Sequence, residues 1–66
     1  MAVARVTRVI SSSKKGFQDA VDQAVGRAGK TLRGMTGGEV VAQKVKIEKG
    51  KIVEYRVEMD IKFILE

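Results

Sequence analysis

Four charged side chains at alternate positions near the end of the chain hold most of its capacity for chemistry. Glu54, Arg56, Glu58 and Asp60 are each two residues apart, so an extended segment would project them from one face. Neighbours in such a row have Cβ atoms about 6.5–7 Å apart by the strand rise. That is too far for a tight chelate by short side chains, yet close enough for two oxygen ligands and a water. Glu54, Glu58 and Asp60 are therefore a candidate metal set, of the hard-oxygen kind that suits calcium or magnesium. A carboxylate from a second copy of the chain could complete it. The competing expectation is a solvated acidic face paired with Lys44, Lys46 and Lys62. Arg56 has two roles open to it: holding a ligand at a cavity or symmetry axis, or pairing with Glu54 or Glu58.

Composition removes most other chemistry. The 66 residues contain no cysteine and no histidine, which excludes disulfides, thiolate zinc sites, cysteine nucleophiles and imidazole acid–base catalysis. The remaining carboxylates and lysines form no acid–base pair, and no nucleophile has a base beside it, so no catalytic residue is expected and the protein is read as a non-enzyme. Gly29-Lys30-Thr31 looks like the end of a phosphate-binding loop, but that motif needs glycine where Ala24 stands and a strand–loop–helix context. Here the tripeptide is expected inside a helix. A net charge of +5 and a pI near 9.9 permit nucleic-acid binding, but the basic residues are scattered and no aromatic platform interleaves them. No apolar run is long enough for a signal or a membrane span, and a cytoplasmic location is the default expectation.

The elements that must position these groups follow from period. From Val53 onward every second residue is apolar (Val53, Tyr55, Val57, Met59, Ile61, Phe63, Leu65), which predicts one strand over 51–66. It would run roughly 50 Å, more than so small a monomer can cover, and so implies partner subunits. Residues 2–10 predict a first strand, with Arg5 and Arg8 on opposite faces. Ser11–Ser13 break it and supply a helix N-cap at Ser12 or Ser13. Phe17, Ala20, Val21, Ala24, Val25, Ala28, Leu32 and Met35 recur at helical spacing, predicting a helix from Gly16 to about Met35. Gly26 and Gly29 within it suggest close approach of another backbone. Gly34–Gly38 reads as a loop and Glu39–Glu48 as the second strand, with Gln43 a polar exception on its apolar side. A buried amide needs partners, so Gln43 either bonds across a subunit boundary or lies beyond the helix. At Lys49-Gly50, face matching favours a three-residue loop or an equivalent bulge, with Ile47 opposite Val53, Val45 opposite Tyr55 and Val41 opposite Met59.

The order strand, helix, hairpin gives an α+β chain in which a three-stranded antiparallel sheet packs around one helix, a single domain over residues 1–66. The serine cap, Gly16-Phe17, the alanine-spaced helix with Arg27-Ala28, Thr31-Leu32, Glu39-Val40-Val41 and the segment Tyr55–Leu65 together resemble the dodecins over almost the whole chain. The resemblance implies a hollow homododecamer of cubic symmetry that binds flavins in pairs, as a store rather than a catalyst. It also implies riboflavin or FMN as ligand, and calcium in some dodecin-like chains lacking the family's tryptophan. Two positions depart from the pattern. Dodecins place a ring-stacking tryptophan where this chain has Gly37, and a ring-bonding glutamine where it has Arg56. The candidate ligand-binding residues are accordingly Arg56, Gln43 and Gly37, with flavin expected to bind more weakly than in ordinary dodecins.

Overall fold

In the computed structural model, which describes residues 3–65, the long alternating segment is the middle of the sheet. Strand β1 is Val3–Ser13, helix α1 is Phe17–Ala28, strand β2 is Met35–Glu48 and strand β3 is Lys51–Leu65. The three strands form one antiparallel sheet in the order β1-β3-β2. A central strand is paired on both edges, so its alternation is the cleanest in the chain. Val57, Met59, Ile61 and Phe63 are buried on one face of β3, and the charged row lies on the other.

The helix meets that apolar face through Ala20, Ala24 and Ala28, all buried. Small side chains at every fourth residue let the helix sit close to the sheet. Val9, Phe17, Val21, Leu32 and Met35 pack around this core. Phe17 meets Tyr55 edge to face, with ring centroids 5.1 Å apart, a favoured aromatic geometry. The helix lies over β1 and β3, and β2 extends beyond it.

Several boundaries differ from the expectations of the sequence. Ser11–Ser13 do not break the first strand: they pair with Val57, Arg56 and Tyr55, and β1 continues to Ser13. Nor does a serine cap the helix, which is preceded by Gly16 and has no side-chain cap. Ser13 is instead buried, donating its hydroxyl to Asp19 Oδ2 at 2.6 Å and accepting the Lys15 N–H at 2.9 Å. Gln23 donates to the same Asp19 oxygen at 2.6 Å. One carboxylate thus ties the end of β1 to the first turns of the helix.

The helix stops at Ala28, seven residues before Met35. Beyond Gly29, the N–H groups of Lys30 and Thr31 reach back only three residues, to the carbonyls of Arg27 and Ala28. This tightened turn ends the helical period. Gly34 then takes φ +73° with its carbonyl accepting the Ile64 N–H at 3.0 Å, and the expected loop over Gly34–Gly38 is mostly strand. Met35, Gly37 and Gly38 pair with Phe63, Lys62 and Ile61.

The hairpin is a two-residue turn. Lys49 and Gly50 both have positive φ, 53° and 75°, the type I′ geometry that suits strand twist. Ile47 pairs with Ile52, not Val53, and the mismatch of faces is absorbed by a bulge between Lys46 and Ile47. A second irregularity sets Val40, not Val41, opposite Met59. Between the bulges the expected register holds, with Val45 opposite Tyr55, Lys46 opposite Glu54 and Lys44 opposite Arg56.

The protomer is long and thin, 52 × 19 × 13 Å with a radius of gyration of 13.7 Å. A compact chain of this length has a radius of about 11 Å. It exposes 5137 Å², where a folded monomer of its mass exposes about 4,100 Å². Among the described residues no helix is long and apolar enough to cross a membrane.

Candidate functional site

The charged row occupies the face of β3 turned away from the helix, and the neighbouring strands bring cations to it. Arg8 on β1 is opposite Asp60 and donates twice to it, Nε to Oδ1 at 2.7 Å and a terminal nitrogen to Oδ2 at 3.1 Å. Lys44 on β2 lies 3.0 Å from Glu58. Arg56 donates to Glu54, two residues away on its own strand, at 2.5 Å. The hydrogen bond from Arg8 is the chief cause holding the Asp60 carboxyl below its ordinary pKa, and it raises Arg8 in turn. The bond from Arg56 does the same for Glu54. Partial burial opposes both carboxylate shifts. Asp19 is also lowered, first by the Ser13 hydroxyl and then by Gln23.

Glu54, Glu58 and Asp60 therefore share a face, and each has a cation as its partner. Among the described residues no group of three or more carboxylates is close enough to hold a metal ion. Within one chain these oxygens act as salt-bridge acceptors, and exposed pairs of this kind are screened by salt.

The three candidate ligand residues are spread over the sheet. Gln43 pairs with Val57 and so faces the helix side, but it is exposed, since the helix meets β2 only near its Met35 end. Its neighbour Lys44 pairs with Arg56, which places Arg56 on the opposite face. Gly37 is opposite Lys62, six residues beyond Arg56 on β3, roughly 20 Å away by the strand rise. One chain does not bring the three together.

Gly37 does border a small apolar cavity of about 300 Å³, with Val25, Met35, Gly38 and Ile61. A Cβ built on Gly37 would meet nothing within 4 Å, whereas one on Gly38 would come within 3.1 Å of the Met59 methyl. The volume is at the lower end for small-molecule sites. With no ring-stacking aromatic there and Arg56 engaged by Glu54, the residues of a single chain do not make a complete flavin site. Two contributors were not anticipated from the sequence: Val25, on the exposed side of the helix, and Arg8, the partner of Asp60. Once β1 is set beside β3, strand alternation alone places Arg8 on the charged face.

The geometry defines a class first: a β-α-β-β protomer whose one helix covers only part of a long antiparallel sheet. The chain belongs to the dodecin family, whose model, described as Dodecin, matches residues 3–66. The dodecin of Streptomyces coelicolor is 37% identical with a TM-score of 0.92, over 98% of this chain and 93% of that one. An arginine-to-alanine variant of the Thermus thermophilus dodecin is 30% identical with a TM-score of 0.94, over 100% of this chain and 98% of that one. The calcium dodecin of Mycobacterium tuberculosis, a calcium-chelating antigen, is 26% identical with a TM-score of 0.82, over 97% and 91%. No curated protein matches the chain.

Proposed function

We propose that this protein is a non-catalytic small-ligand binding and storage protein that works as a hollow homo-oligomer, a dodecamer by the pattern of its family. The observation that carries this reading is the uncovered sheet. Val40, Val41, Val45, Ile47, Ile52 and Val53 are all exposed large apolar residues, more than an isolated chain of this size leaves to water. Further copies would cover them and would bring Arg56, Gln43 and Gly37 of different subunits toward shared axes. The cavity beside Gly37 is apolar, and with an arginine brought to it from another copy it would suit a small planar anion. FMN belongs to that class and riboflavin shares its planar ring without the charge; the absence of the stacking tryptophan makes the binding of either weak.

Flavin fluorescence titration of the assembled protein, with absorbance near 450 nm, tests this directly. Weak saturable binding is expected, strengthened about tenfold or more in a Gly37→Trp/Arg56→Gln variant, since a stacked aromatic pair and a ring hydrogen bond each add about 1 kcal/mol. No response in either protein would remove flavin-type ligands from the reading.

A second reading, a calcium-binding shell, is favoured by the common face of Glu54, Glu58 and Asp60 and by the similarity to a calcium dodecin. Calcium would have to displace Lys44 and Arg8, so binding would be weak and confined to the assembly. Millimolar calcium should then raise Tm, and Glu58→Gln with Asp60→Asn should abolish the gain. An unchanged melting curve would leave the carboxylates as salt-bridge acceptors.

A further inference from the structure

Along the chain the cations look scattered, but the two halves of the sequence are not alike. Residues 1–34 hold seven lysines and arginines against two aspartates, and residues 35–66 hold six cations against six acids. The whole net charge of +5 therefore belongs to β1, α1 and their turns. Of those seven cations only Arg8 has an ion pair, to Asp60; the other pairs among the described residues use Lys44 and Arg56. The two aspartates sit in the first half of the helix and are already engaged. Ser13 and Gln23 donate to Asp19, and Gln18 donates to Asp22 at 2.9 Å.

Four of the unpaired cations, all exposed, gather where the helix ends. Arg27 lies in its last turn, and Lys30 bonds back to the Arg27 carbonyl in the tightened turn. Arg33 precedes Gly34, whose carbonyl accepts the Ile64 N–H, and Ile64 is opposite Ala4. That brings the turn beside Arg5, which is opposite Phe63 on the helix-facing side of β1. No aspartate or glutamate occurs in residues 23–38 to offset them. The helix C-terminus itself carries only about half a negative charge, too little to balance four cations.

We propose that this basic end of the protomer binds the phosphate backbone of double-stranded nucleic acid without reading its sequence. Duplex phosphates form a dense row of negative charge, one for about every 1.7 Å of axis, which suits exposed cations with no carboxylate beside them. Among the described residues no exposed aromatic is present to stack unpaired bases. Phe17 and Tyr55 pack on each other, and Phe63 is buried. Nor is there the greasy face that a membrane surface requires, since Val25 is the one exposed large apolar residue of α1 and the turn after it.

Charge also disfavours a second copy of the chain as the occupant. The carboxylates of the outer sheet face are paired to Arg8, Lys44 and Arg56. Glu39 stands near Arg8, and Glu48 is opposite Lys51. No negative face is left to meet four cations, and burying them unpaired is costly. Val6 and Ile10 of β1 are exposed and invite a partner copy, but they are opposite Lys62 and Glu58. A copy covering them approaches from the side away from the helix. Val3 and Leu65, on the helix side, pair with each other at the tip of the sheet, beyond Arg5.

The test is fluorescence anisotropy of a short labelled DNA duplex, titrated with the assembled protein at about 50–200 mM salt, with native mass read on each sample. Saturable binding that weakens steeply with salt is expected. Each neutralised phosphate adds about 0.9 to the slope of log Kd on log salt, so four cations give roughly 3.6 for each protomer in contact. Arg27→Gln and Lys30→Gln should each lower that slope by about 1 per contacting protomer, and Arg27→Lys should keep it. Lys46→Gln takes the same charge from the outer sheet face, opposite Glu54, and should leave the slope unchanged. The proposal is overturned by no saturable binding at the lowest salt, or by equal or tighter binding of phosphatidylserine vesicles. An equal effect of Lys46→Gln also overturns it, because net charge alone would then be the cause. So does a fall in native mass in the Arg27→Gln and Lys30→Gln proteins, which would make this end a contact between copies. No flavin enters the measurement, so its failure leaves the small-ligand reading standing, and the converse holds.

Discussion

The two halves of the sheet carry similar residues and meet different fates. In β3 the same apolar alternation runs from Val53 to Leu65, yet Val57, Met59, Ile61 and Phe63 are buried while Val53 is 37% exposed. The helix makes the difference. Its 12 residues span about 18 Å, against a protomer 52 Å long. Where Ala20, Ala24 and Ala28 press on the sheet, the core is complete. Along β2 and the hairpin, the same kind of valines and isoleucines face nothing in their own chain. A period of two therefore reports that a face is to be covered, and not what covers it.

Substitutions on the two sides should separate the regions. The largest effect is expected from Val57→Asp, which buries an unpaired charge under Ala20 and Ala24 and should cost several kcal/mol, enough to unfold a domain of this size. Circular dichroism would show the loss, and a folded Val57→Asp protein would mean that the helix does not seal this half. Val45→Asp, on the uncovered half, should act on assembly first. The prediction is a fall in native mass with strand signal partly retained; unchanged mass would show that β2 stays in water.

Gly34→Ala should cost about 1–2 kcal/mol, because φ is +73° and the added Cβ would lie 3.1 Å from the Ile64 carbonyl oxygen. Thermal melting would report it, and an unchanged Tm would show that the turn leading into β2 adapts. The smallest effect is pH. Arg8 and Arg56 hold Asp60 and Glu54 below their ordinary values of 3.8 and 4.5. Their contribution is present above those values and fades as pH falls through and below them. A modest loss of Tm on acidification should shrink in Arg8→Gln, whereas an equal loss would place the sensitivity elsewhere.

Much of the covered half was legible in the sequence, because strand alternation and helical spacing both report burial against the same core. The central strand, the alanine ridge and the order of elements follow from period alone. Helix length did not, since Leu32 and Met35 keep the helical spacing by chance while serving the turn and β2. The serines misled for a related reason: they favour caps, but Ser13 satisfies itself through Asp19 and Lys15 while staying in the strand. Hairpin register was legible only as a mismatch needing a bulge. The charged row was readable as a row, but its partners were not, because Arg8 and Asp60 are 52 residues apart and meet only through the strand order.

Light scattering of the purified protein at micromolar concentration tests the central claim most directly. If the uncovered half of the sheet is an assembly surface, the mass should be a defined multiple of the 7.2 kDa protomer, twelvefold by the pattern of the dodecin family. A stable monomer of 7.2 kDa would contradict it.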